Sequence, residues 1–123
     1  MKKVFGVILI FITTLSVNAQ LANTKWKGTL NLDNPIDAVF NFKTDTLEVL
    51  NTEDSSNIET MKFSVNDSVL IIQKLFGQSQ CDNSAIGRYK FQINGDEMTW
   101  ELVTDDCDDR SQVIGSMKLS REK

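Results

Sequence analysis

At 123 residues, with two cysteines, one proline and no histidine, the chain can bury one modest core, and its formal net charge is −4. The lack of histidine excludes imidazole acid–base catalysis, and two cysteines alone cannot close a structural zinc tetrahedron. Net acidity, with no basic stripe interleaved with aromatics, excludes nucleic acid as a natural partner.

The first element is an export signal. Lys2 and Lys3 precede an uncharged apolar stretch from Val4 to Val17, and Val17-Asn18-Ala19 supplies a cleavage site, so residues 1–19 read as a signal peptide and the mature chain starts at Gln20. The apolar stretch, about 14 residues, is short of the roughly 20 needed to span a bilayer. The first cysteine is Cys81, which leaves no lipid-anchoring cysteine at the cleavage point. The expected product is an exported protein, periplasmic or secreted, with no membrane insertion after cleavage. Cleavage takes two of the 13 basic side chains against 17 acidic ones, giving a net charge of about −6.

Residues 20–123 form one domain in which polar and apolar residues alternate with period two, and eight strands follow from that alternation. The first, Lys25 to Leu32, places Trp26, Gly28, Leu30 and Leu32 on one face. Ile36 to Lys43 turns Ala38, Phe40 and Phe42 inward, and Thr46 to Leu50 is the third. Asn57 to Val65 presents Met61, Phe63 and Val65, whereas Ser68 to Phe76 is apolar on both faces. Ile86 to Ile93 presents Tyr89, Phe91 and Ile93, and Glu97 to Val103 presents Met98, Trp100 and Leu102. Gln112 to Ser120 closes the set with Val113, Gly115, Met117 and Leu119.

The connections differ in kind. Thr44-Asp45, Asn66-Asp67 and Asn94-Gly95 read as tight two-residue turns, whereas most of the remaining connections are long and polar. In an up-and-down meander successive connections alternate ends, so the tight turns share one end and the long loops the other. Cys81 lies in the loop entering the sixth strand and Cys107 in the loop leaving the seventh. Neighbouring strands lie about 5 Å apart, so the two thiols are within disulfide reach. In an exported chain such a pair most often forms one bridge. Eight antiparallel strands can form a sandwich or an up-and-down barrel, and a sequential meander with short hairpins closes most simply into the barrel, which removes its exposed edges.

No nucleophile motif, phosphate-cradling glycine loop or metal-binding spacing is present, so no catalytic residue, cofactor or metal is expected and the chain does not read as an enzyme. Glu48, Glu59 and Glu101 read as solvated outward-facing carboxylates. Asp105, Asp106, Asp108 and Asp109 form the densest charge in the chain. Their spacing fits no calcium loop, and they read as a solvated acidic loop beside the disulfide.

Trp26-Lys27-Gly28, Gly87-Arg88-Tyr89-Lys90-Phe91, the run from Asp96 to Leu102 and the run from Asp105 to Arg110 together resemble small bacterial exported lipocalin-like, calycin-type β-barrel domains. The resemblance spans nearly the whole mature chain on short motifs. It implies a tryptophan on the first strand, here Trp26, closing the barrel against an arginine near the last strand, either Arg110 or Arg121. Thr24 stands where the lipocalin pattern places a glycine. The resemblance also implies a binding module for a small apolar or amphipathic ligand, with Phe40, Phe42, Phe63, Tyr89, Phe91 and Trp100 as lining candidates. The alternative is a non-enzymatic envelope module, a filled barrel whose acidic loop end meets a protein partner of unknown identity.

Overall fold

The computed structural model describes residues 20–122, so the signal peptide expected over residues 1–19 lies outside the described residues. Eight strands follow in chain order: β1 (Thr24–Leu30), β2 (Ile36–Phe42), β3 (Thr46–Asn51), β4 (Asn57–Asn66), β5 (Val69–Gly77), β6 (Ile86–Asn94), β7 (Glu97–Asp105) and β8 (Ser116–Arg121). A short helix, α1 (Asp108–Ile114), separates the last two. Every strand pairs antiparallel with its sequence neighbour, and β1 joins β8 through Trp26 opposite Arg121 and Lys27 opposite Ser120. The domain is an all-β up-and-down meander closed into an eight-stranded barrel. Among the described residues no helix is long and apolar enough to cross a membrane.

Alternation builds the interior. Ala38, Phe40 and Phe42 of β2, Leu47 and Val49 of β3, Tyr89 and Phe91 of β6 and Met98 and Trp100 of β7 are all buried. Each of the larger of these side chains contributes about 1.5–3 kcal/mol through removal from water. Leu21, just before β1, is also fully buried and packs with this core.

The tight connections sit at one end, as residues 43–45, 67–68 and 95–96. The second and third fall one residue later than the alternation places them. Asp67 and Ser68 take positive φ angles of 52° and 65°, the pair of left-handed residues that matches the twist of the flanking strands. The long connections share the opposite end.

Three further differences from the sequence pattern cluster at that loop-rich end. Residues 108–114, read as loop and strand, form α1, so β8 starts at Ser116 rather than Gln112 and Gly115 ends a helix instead of facing the core. Leu32 lies beyond β1 and is exposed, as are Leu75 and Phe76 at the end of β5. Leu102 also turns outward, next to a register shift that pairs Arg88 with Thr104 and Tyr89 with Leu102. Such a shift places an extra residue in one strand and breaks the inward-outward alternation.

Candidate functional site

The interior is divided along its axis. In the half nearer the tight turns Phe42 and Phe63 meet edge to face at 5.1 Å, and Leu47, Leu70, Met98 and Leu119 fill the space around them. Arg121 lays its guanidinium over the Trp26 ring, 4.3 Å from the centroid, and closes that end. Arg110 is at the other end of the barrel, so of the two arginines only Arg121 meets Trp26. The difference is topological: Arg121 ends β8, directly opposite Trp26 in the ladder, whereas Arg110 sits on α1.

The loop-rich half contains a cavity of about 460 Å³ that opens between the long connections. Its floor is apolar, made by Phe40, Val49 and Met61, and its sides carry Leu30, Ile36 and Ile114. Of the six aromatic lining candidates only Phe40 reaches it. Trp100 packs edge-on to Phe40 at 5.5 Å and lies 6.0 Å from Tyr89, while Phe42, Phe63 and Phe91 belong to the filled core.

Two charged side chains that line this wall are buried, and a third buried charge, Asp105, backs the first of them. Arg110 is only 6% exposed, and its Nε and Nη2 each donate to Asp105 at 2.8 Å, with a further bond from Nη2 to the Ala85 carbonyl at 3.1 Å. The Asp105 side chain is wholly buried and also accepts from the Tyr89 hydroxyl and, at 2.8 Å, from the Cys107 backbone N–H. Asp105 is therefore no solvated loop acid. It ends β7 facing inward, whereas Asp106, Asp108 and Asp109 are exposed. Gly87 makes the arrangement sterically feasible, because a Cβ there would lie 2.8 Å from Asp105 Oδ2 and 3.1 Å from Arg110 Nη2.

Burial pushes the Asp105 carboxyl up, but the bonds from Arg110, Tyr89 and Cys107 outweigh it and hold the group below the ordinary carboxylate range. Burial likewise opposes the Arg110 charge, and Asp105 more than restores it. The Tyr89 phenol is driven well above its ordinary value by burial first, then by the bond to Asp105 and its negative charge.

The second buried charge is Glu59, 6% exposed, which is not the outward-facing carboxylate the sequence reading made it. It shares the inward face of β4 with Met61 and Phe63. It accepts from Ser79 Oγ at 2.5 Å and from the Ser79 N–H at 3.2 Å, holding the loop after β5 against the barrel mouth. Gly77, at φ 151°, leaves the room this carboxylate occupies, since any Cβ there would collide with it. Two register shifts, at Val49/Leu50 in the β3–β4 pair and at Thr60/Met61 in the β4–β5 pair, flank Glu59.

Cys81 and Cys107 form a disulfide with their Cα atoms 5.6 Å apart, tying the β5–β6 loop to the start of α1. No group of metal-ligating side chains occurs among the described residues. No protein-family model, curated protein or solved structure matches the chain. The eight-stranded closed meander is consistent with the calycin-like fold on its architecture alone.

Proposed function

We propose that this chain is an exported, non-enzymatic binding module that takes one small apolar or amphipathic molecule through the loop-rich end of its barrel. The observation that carries the reading is the cavity of about 460 Å³ with an apolar floor of Phe40, Val49 and Met61. Ligand sites typically occupy about 300–1,000 Å³, are mostly apolar and hold a few placed polar groups. Arg110 and Glu59 are such groups, and neither is needed to fill a core. A structural module with a filled barrel would instead extend the aromatic packing of the Phe42–Phe63 half to the mouth.

The reading is tested by purifying the mature protein from its host for native mass spectrometry and by titrating it with octanol calorimetrically. A co-purifying apolar mass, or saturable one-to-one uptake of octanol that Val49→Trp abolishes, is expected. A mass equal to the polypeptide together with no saturable uptake would overturn it.

A further inference from the structure

Resting on that reading, we infer that the cavity selects an uncharged amphiphile whose oxygen, a carbonyl or similar acceptor, docks on Nη1 of Arg110, and that it discriminates against the corresponding carboxylate. The guanidinium is a planar fork of five donors. Its Nε and Nη2 edge is engaged by Asp105, which turns Nη1 to the opposite side. Arg110 lines the cavity, and Nη1 is buried without a hydrogen-bond partner among the described residues. A buried N–H left unpaired carries a desolvation penalty that an acceptor oxygen removes. The unmet group on the cavity wall is a donor, so the missing partner is an acceptor.

The sign of the charge follows from the rest of the wall. Asp105 already neutralises Arg110 at 2.8 Å, so the pair offers a hydrogen bond without a net positive charge. The other charged groups on the cavity wall are Asp33, Glu59 and Asp109, all carboxylates. Lys74 donates to the Ser79 carbonyl at 2.8 Å and does not line the cavity. A ligand carboxylate would shed its hydration to enter a negative site, whereas a neutral carbonyl meets the donor without that repulsion.

The test compares hexyl methyl ketone, octanoate and octylammonium on the wild-type protein, together with the infrared carbonyl band of isotope-labelled ketone. The ketone is expected to bind at least about tenfold more tightly than octanoate, because the carboxylate must lose its hydration beside the wall's carboxylates. Its carbonyl band should fall below its position in alkane solvent, as a hydrogen bond from Nη1 requires. Glu59→Gln should raise octanoate affinity and so narrow the ketone-to-octanoate ratio. Octanoate or octylammonium binding more tightly than the ketone, or a ketone band at its alkane position, would overturn the inference while leaving the binding module standing. Binding of none of the three would remove both. The wild-type series and the band position need no variant, so the inference stays testable if Glu59→Gln does not fold.

Discussion

The two ends of this barrel are built by opposite means. At the tight-turn end the ladder is regular, the interior is filled by hydrocarbon and aromatic rings, and the closing charge, Arg121, lies partly in solvent above Trp26. At the loop-rich end three register shifts interrupt the ladder, the interior opens into a cavity, and an arginine and two carboxylates are buried. The first arrangement gains stability from burial. The second gives up part of that stability to hold buried polar groups in fixed positions.

That contrast can be attacked first where the stakes are largest. Arg110→Met would leave Asp105 buried beside only Tyr89 and one backbone donor, and it should cost about 3–5 kcal/mol in denaturant unfolding, the usual penalty for orphaning a buried charge. A loss below about 1 kcal/mol would mean the pair is hydrated and the loop-rich end softer than described. Replacing both Cys81 and Cys107 by serine releases the loop over the cavity, and the chain-entropy relation gives a loss of about 3–4 kcal/mol. Hydrogen exchange should then rise around residues 78–85 and α1 and stay unchanged between β2 and β3, which separates local loosening from global destabilisation.

The pH profile sharpens the same comparison. Because Asp105 titrates below its unfolded value of about 3.9, its contribution is complete above that value and is lost as pH falls through the lower native one. Tyr89 titrates above its unfolded value of about 10, so its contribution is complete below that pH and declines as pH rises further. Urea midpoints should form a plateau between those limits, and Tyr89→Phe should cost about 1.5–3 kcal/mol on the plateau while flattening the alkaline limb. An unchanged alkaline limb in that variant would place the titration elsewhere. The smallest effect belongs to the other end: Arg121 is 34% exposed, and Arg121→Met should cost only about 0.5–1 kcal/mol, the range of a partly solvated cation over an aromatic ring.

The regular end was the legible one. Trp26, Phe42, Phe63, Met98 and Leu119 declare their inward face by alternation, and the alternation of short and long connections sets strand order and brings Cys81 to Cys107. The site was less legible because it is made where alternation fails. A register shift leaves no mark in composition, so the outward turn of Leu102 could not be read from Met98 and Trp100 preceding it. Helix α1 hides behind Val113, Gly115, Met117 and Leu119, whose spacing continues a strand pattern. Its one local cue is Asp108 and Asp109 in the first turn, where carboxylates favour a helix start. Glu59 could have been found, since it is two residues from Met61 and four from Phe63 and therefore shares their face. Arg110 and Asp105 are five residues apart across a strand end and a helix, and only the folded chain brings them together.

The most direct measurement of the division itself is a methyl-resolved NMR titration of the mature protein with octanol. Saturable shifts confined to Leu30, Ile36, Val49, Met61 and Ile114, with Leu47, Leu70 and Leu119 unmoved, are the expected result. Shifts spread equally over both groups, or none at saturating octanol, would contradict a barrel filled at one end and open at the other.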